Sequence, residues 1–398
     1  IYTLSLHDAL PIWSADLIKI SAIIGVVFLH LSDGYLNRAD YFFSRGLVWY
    51  VILLLRVLAS TGVPLFMLTS GYLTIGKNYA PAKLIKRVLL RLLLPFVFLW
   101  IIASWTNGLV SCHLHNSALS LPLLSLSTLW WRFFIASGSL HFFAALIGLN
   151  LLLPLWGLLF TKKQAQHQYS LAKYIIVLFL LVSMSAILNF IFNPLVNEAV
   201  LNEWRWILWV GYFLLGYLIR LIPKYQNTNW GKYLFFTGLT MSTLVDFFTK
   251  KTAFSHVDAI QGAASYSLNY HLPWIVMMSV GAFIWILSCQ AKIFTNLAIQ
   301  KLLSFFASLT LGIYIFHEVI FIHLDVFYDF GLNNLSFWRT PALALFGLTM
   351  VVLFLSTMAT ILFSLFPALR LLVGKDKNSA PIKTLSLFSK TAKPKNSH

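Results

Sequence analysis

Charge is scarce in this sequence. Charged residues fill only 10% of 398 positions and just 12 are acidic, whereas soluble domains carry about 25% charged residues. That deficit excludes a water-soluble enzyme and a disordered chain, both of which need a polar surface. Cysteine is nearly absent as well. Cys112 and Cys289 form neither a disulfide framework nor a metal-finger spacing. The chain has no Gly-rich phosphate loop, HExxH, CxxC or GxSxG. ATP hydrolysis and the familiar zinc chemistries therefore have no motif to rest on, and no metal is expected. Strand-like alternation is also missing, which disfavours a membrane β-barrel.

What fills the chain is apolar sequence, 59% of residues with a mean hydropathy of +0.80. It falls in runs near 20 residues, long enough to cross a hydrocarbon core of about 30 Å as helices. The pattern predicts an all-α polytopic membrane protein of about ten transmembrane helices. These lie near 13–31, 48–75, 88–109, 140–160, 171–192, 205–222, 232–249, 271–290, 303–323 and 340–366. Segments 111–139 and 324–339 become loops, the first with an interfacial stretch, LWWRFF. Residues 1–12, IYTLSLHDALPI, resemble translated sequencing-adapter DNA and are expected to be non-native, with the native start shortly before Trp13. They lack the cationic region and cleavage site of a signal peptide. Residues 13–372 are expected to form the membrane domain. Residues 373–398 read as a basic, disordered tail.

The net charge of +17 would suggest nucleic acid in a soluble protein. Here it divides between alternate loops. One set holds Lys77, Lys83, Lys86, Arg87, Arg91, Lys162, Lys163, Lys173, Arg220, Lys224, Lys232, Lys292, Lys301 and the tail cations. The other holds Arg38, Arg45, Arg132, Arg205, Lys250, Lys251 and Arg339. The first set marks the cytoplasmic side, with both termini on it. The charge is topology, and the expected partner is the bilayer, with no nucleic acid.

An ionisable group inside a span costs about 2.5–3.5 kcal/mol even on the insertion scale, so each is a functional candidate. Lys19 and His30 lie in the first helix, Arg56 in the second, and His317 with Glu318 in the ninth. Eleven residues close three helical turns to within about 20°, so Lys19 and His30 share a face about 16 Å apart. Snorkelling at the two helix ends would give the same pattern. Asp16 is three residues from Lys19, within pairing reach. Adjacent His317 and Glu318 cannot share a face. In the second span, Pro64 removes a backbone donor and Ser70-Gly71 invites a break or a close approach. Ser70, Gly71 and Tyr72 fall at the depth of Lys19, and Arg56 nearer that of His30. Lys83, Lys86, Arg87 and Arg91 crowd the cytoplasmic entrance to the third span. There they are a positive-inside signal or a cradle for the phosphates of an anionic donor.

Six segments in order resemble the acyltransferase-3 membrane proteins. They are DLIKISAIIGVVFLH, VPLFMLTSGYL, KLIKRVLLRLLLPF, SLHFFAALIGLNLLLPL, WVGYFLLGYLI and SLTLGIYIFH. The likeness runs from about Trp13 to Arg370 and is strongest to O-acetyltransferases of bacterial surface polysaccharides, of the enterobacterial common antigen type. Three positions depart from the family pattern. Lys19 stands where arginine is usual, the basic entrance reads Lys83-x2-Lys86 and Arg87-x3-Arg91, and the helix-4 imidazole falls at His141.

The resemblance implies transfer of an acyl group, usually acetyl from acetyl-CoA, to a hydroxyl of a carbohydrate or lipid-linked glycan at a bacterial inner membrane. His30 then becomes the base that activates the hydroxyl, or the carrier of the acyl group. Lys19, Arg56 and His317 complete the catalytic set. Ser70, Gly71, Tyr72, His141 and Glu318 are expected to bind substrate, and Lys83, Lys86, Arg87 and Arg91 to hold the acyl-CoA. A transporter or exporter of a glycan or polar solute is the alternative, since it too would bury ionisable groups beside interrupted helices.

Overall fold

A computed structural model describes residues 12–36, 46–77, 80–115, 138–159, 177, 183, 205–221, 229–255, 270, 272–289, 296–327 and 341–375. The described residues form helices and no strand. Twelve α-helices are numbered here in chain order: α1 (Ile12–Leu36), α2 (Leu47–Ala59), α3 (Gly62–Thr74), α4 (Pro81–Val88), α5 (Leu94–His115), α6 (Gly138–Leu151), α7 (Leu153–Leu159), α8 (Arg205–Leu221), α9 (Trp230–Ser255), α10 (Pro273–Ser288), α11 (Leu297–Phe327) and α12 (Pro341–Leu365). A π-turn, Leu89–Leu93, joins α4 to α5, and a 3₁₀ turn, Leu369–Val373, follows α12.

Five segments are long and apolar enough to cross a membrane: 13–33, 47–74, 81–106, 298–326 and 342–365. The apolar helices at 142–151, 209–221 and 273–288 are shorter. The protein is therefore an integral membrane protein. The span expected at 171–192 lies outside the described residues except for Val177 and Ser183, and so does LWWRFF. Two expected loops begin later than the hydropathy suggested, because α5 runs on to His115 and α11 to Phe327.

The surface is inverted relative to a soluble protein. Large apolar side chains such as Leu343, Met350 and Phe354 on α12 point outward, whereas Asp16, Arg56, Asp246, Lys250 and His317 are buried. Lys250, expected among the outer loop cations, instead lies on α9, which continues to Ser255, and is 0% exposed. Hydroxyls inside the helices bond back to their own carbonyls, as Thr349, Thr357, Thr360 and Ser364 do along α12. Water cannot satisfy them there, so the backbone must.

α1 packs against α2, α3, α10, α11 and α12 and forms the axis of the bundle. The second span breaks between α2 and α3 rather than at Ser70-Gly71. Pro64 lacks a donor for the carbonyl four residues back, that of Ser60, and its ring crowds that carbonyl. Ser60 and Thr61 turn their hydroxyls onto the Val57 and Leu58 carbonyls at the break. Pro154 likewise separates α6 from α7.

Ser70-Gly71 instead marks a close crossing. A Cβ on Gly71 would overlap the Phe213 carbonyl of α8, and one on Gly216 of α8 would overlap the Leu68 carbonyl of α3. The two backbones touch through reciprocal glycines, the small-residue packing that membranes favour. After α12, Val373 is 1% exposed, so the folded body extends past the boundary placed at residue 372. Residues from 376 onward lie outside the described residues.

Adding a methyl at the crossing overpacks it, at a typical cost of about 1–3 kcal/mol. Gly216→Ala is expected to lower the thermal midpoint of the detergent-solubilised protein, followed by monodispersity on size exclusion. A midpoint equal to wild type would mean that α3 and α8 do not touch there.

Candidate active site

α1 carries its ionisable side chains along one face, as the helical arithmetic required for Lys19 and His30. At one end Lys19 Nζ donates to Asp16 Oδ1 at 3.2 Å, and Asp16 Oδ2 accepts from Ser304 Oγ of α11 at 2.7 Å. The buried carboxylate thus pins α1 to α11 and steadies the ammonium. Lys19 then borders a hollow of about 250 Å³, together with Ser70, Thr74, Arg87, Thr310 and Tyr314.

A second hollow of about 190 Å³ shares walls with the first at Ser70, Thr74, Arg87, Leu146 and Leu311. It adds Arg91, Asn150 and Gly374. Two of the four basic entrance residues therefore face a cavity, while Lys83 and Lys86 are exposed on α4 and line neither hollow. The separation follows from the backbone. Arg87 lies in the last turn of α4 and Arg91 four residues on, within a π-turn, a distortion that often accompanies functional sites.

Toward the other end of α1, the His30 ring stands 5.4 Å from that of His317 on α11, centroid to centroid. Tyr314 connects the two regions. Its side chain borders the Lys19 hollow, its ring centroid lies 5.4 Å from that of His317, and its carbonyl accepts from His317 Nδ1 at 2.7 Å. Basic hollow, Lys19, Tyr314, His317 and His30 thus follow one another through the bundle.

Arg56 is engaged elsewhere. Its Nε bonds Asp33 of α1, one turn beyond His30, and its Nη1 bonds both oxygens of Asp246 on α9, at 3.0 and 3.1 Å. Lys250, one turn further along α9, is close enough to interact electrostatically with all three. Two cations and two carboxylates thus neutralise one another and tie α1, α2 and α9 together. Arg56, expected in the catalytic set, has its guanidinium engaged by two carboxylates in this clamp.

The Ser-Gly-Tyr segment is split between two tasks. Ser70 borders both hollows. Gly71 makes the α8 crossing, and Tyr72 sets its ring edge-on to Phe283, with its carbonyl accepting from Arg220 Nη1 at 3.3 Å. Glu318 is half-buried and borders neither hollow. His141 lies on α6, with its side chain outside the described residues. Sequence reasoning passed over Asp33, Asp246, Tyr314, Thr310, Asn150 and Gly374. Asp246 and Lys250 did carry a signal, being opposite charges four residues apart in an apolar helix.

The second hollow is closed from the C-terminal side. Arg370 Nε donates to the Ser364 carbonyl at 2.6 Å, capping α12, and Gly374 turns the chain with φ +72°. Lys375 follows, partly buried. Burial foremost, then the neighbouring Arg370 charge, lowers its pKa from 10.5 to about 8.

Two predictions follow from these charges. Removing one partner of a buried ion pair costs about 3–5 kcal/mol. Arg56→Ala is therefore expected to lower the thermal midpoint sharply, with Asp246→Asn added to it restoring part of the loss. An Arg56→Ala protein as stable as wild type would dissolve the clamp. At Lys375 the folded state resists the charge, so stability rises as the pH passes from about 8 to 10.5. Lys375→Met is expected to be more stable than wild type at pH 7, with the difference closing by pH 10 in paired thermal melts. A pH-independent difference would count against it.

The acyltransferase-3 family model (Acyl_transf_3, acyltransferase domain) matches residues 12–364. No curated protein and no solved structure matches the chain. The match takes in the whole Lys19–Tyr314–His317–His30 series and gives no support to the transport reading. The chain belongs to the acyltransferase-3 family and is a membrane acyltransferase.

Proposed function

We propose that this protein is an acyl-CoA-dependent O-acetyltransferase that modifies a hydroxyl of a cell-surface glycan at a bacterial inner membrane. The observation that carries the reading is the continuity from Arg87 and Arg91, past Lys19 and Tyr314, to the His317–His30 pair. Arg87 and Arg91 offer planar guanidinium groups to the donor's phosphates. At about 190 and 250 Å³ each hollow is smaller than the usual ligand site of about 300–1,000 Å³. That size suits the donor's extended thiol arm, leaving the nucleotide at the basic rim.

Lys19 borders the hollow that the thiol arm threads, where its ammonium can donate to a carbonyl of that arm while the thioester itself extends to the His30 end. The acceptor hydroxyl approaches from the His30 end. A hydroxyl is a weak nucleophile until its proton is taken, and His30 takes it as the oxygen attacks the carbonyl carbon. The C–S bond then breaks, and the thiolate leaves with the proton that His30 releases. The Lys and Arg distribution supports a donor side facing the cytoplasm and an acceptor side facing outward. Acetyl transfer across the bilayer's thickness needs such a two-ended site.

The test is acyl transfer in membranes carrying the protein, with labelled acetyl-CoA. Free thiol and ester-labelled glycan are expected to form together. His30→Ala at equal expression is expected to lose about 10²–10⁴-fold, the usual contribution of general base catalysis. Unchanged labelling in His30→Ala would remove His30 from the chemistry. Absence of labelling in the wild type would remove the donor and acceptor assigned here.

A further inference from the structure

His317 is 1% exposed, and its two ring nitrogens are used unequally. Nδ1 lies 2.7 Å from the Tyr314 carbonyl. A carbonyl only accepts, so Nδ1 carries the proton, and Nε2 is left with a lone pair. That Nε2 is buried and has no hydrogen-bond partner among the described residues. A buried polar atom without a partner costs about 1–3 kcal/mol, so it calls for a donor that the resting arrangement does not supply.

The neighbouring donor is His30. A centroid separation of 5.4 Å is what two imidazoles show when nitrogen faces nitrogen at a hydrogen-bond distance of about 3 Å. The rings are tilted by 43°, and the bond is open. Histidine χ2 is a broad torsion, so turning the His30 ring to close it costs little. Exposure sets the order of the pair. His30 is half-buried and His317 fully buried, so a substrate meets His30 first, with His317 behind it.

We propose that His317 is the positioning residue of this acyltransferase. Its Nε2 accepts the N–H of His30 and thereby holds the other His30 nitrogen, lone pair outward, toward the acceptor hydroxyl. The proposal rests on the acyl-transfer reading above. It gives a neutral imidazole the orienting task that a carboxylate performs for the histidine of a hydrolase triad. Tyr314 then has two functions on one residue, since its carbonyl fixes the His317 tautomer and its side chain borders the donor hollow. The proton from the hydroxyl goes to His30, passes to the leaving thiolate, and never needs to reside on His317. The role therefore suits a site without water or counter-charge. Glu318, on the adjacent helical position, interacts electrostatically with Tyr314 and falls outside this chain of bonds.

Two amides separate the functions of the two ring nitrogens. An asparagine places its amide where Nδ1 was and can keep the Tyr314 bond, but it offers nothing at the Nε2 position. A glutamine places a carbonyl oxygen there. With labelled acetyl-CoA and membranes of matched expression, His317→Asn is expected to lose about 10²-fold or more in kcat, within the range for general base catalysis, at unchanged KM for acetyl-CoA. His317→Gln is expected to stay within about tenfold of wild type. Nitrogen-15 NMR of histidine-labelled protein is expected to show one imidazole fixed as the Nδ1–H tautomer, and this signal should vanish in His317→Asn.

Equal activity of the two variants, or a loss confined to KM, would overturn the proposal. So would an Nε2–H tautomer at His317. A wild-type protein that releases no thiol from acetyl-CoA yet shows the fixed tautomer would fail the acyl-transfer reading instead. The orienting role would fall with it.

Discussion

The constraint on which this structure depends is the cost of leaving a charge unpaired where there is no water. An isolated ion in hydrocarbon is expensive enough to be rare, and those that persist are paired or border a cavity. α1 organises both solutions. Its first turns carry Asp16 and Lys19, joined to Ser304 and facing a hollow. Its later turns carry His30 beside His317 and Asp33 bonded to Arg56. The helix is central because it holds the polar groups, and neighbouring helices must come to it to satisfy them. α11 supplies Ser304 and His317, α2 supplies Arg56, and α9 completes the set with Asp246. Electrostatic satisfaction and helix arrangement are here the same requirement.

Much of this was legible in the sequence. The eleven-residue separation of Lys19 and His30 set one face of α1, and the depth argument brought Ser70 to Lys19, where both border the same hollow. Runs of apolar residues located the long spans. What escaped was pairing between distant helices. Asp33 falls just beyond the expected first span, Asp246 inside the expected 232–249 span, and Lys250 was expected among the outer cations. Only tertiary packing brings them to Arg56, which the chain separates from Asp246 by 190 positions. Hydropathy averages over about 19 residues, so it cannot register a charge that a partner 190 residues away has neutralised. Tyr314 escaped for a related reason. On an apolar helix its ring reads as packing, and its position between hollow and histidines appears only in three dimensions.

The Ser70–Tyr72 segment shows how a short motif can serve chemistry and packing at once. Successive helical residues point 100° apart, so three consecutive positions cannot address one site. Ser70 faces the hollow, while Gly71 lets α8 approach to backbone contact and Tyr72 packs on α10. The close crossing holds Ser70 at its depth, since α3 cannot slide along α8 without losing the fit of Gly71 and Gly216. Packing precision at one residue thus sets the geometry of the cavity at its neighbour.

The same logic bears on Lys19, which stands where relatives of the resemblance carry arginine. Arginine's advantage is bidentate donation to a planar anion. Lys19 has a different task to meet. Its ammonium is already steadied by Asp16, which Ser304 holds in turn, and it faces a hollow bordered by hydroxyls and an aromatic side chain. A single acceptor oxygen is a point target, not a planar one. A compact ammonium serves a point charge as well as a fork does, provided that it is held in place. The Asp16–Ser304 connection supplies the restraint that the flexible lysine stem lacks. The substitution is thus accommodated by a polar network anchored on a second helix.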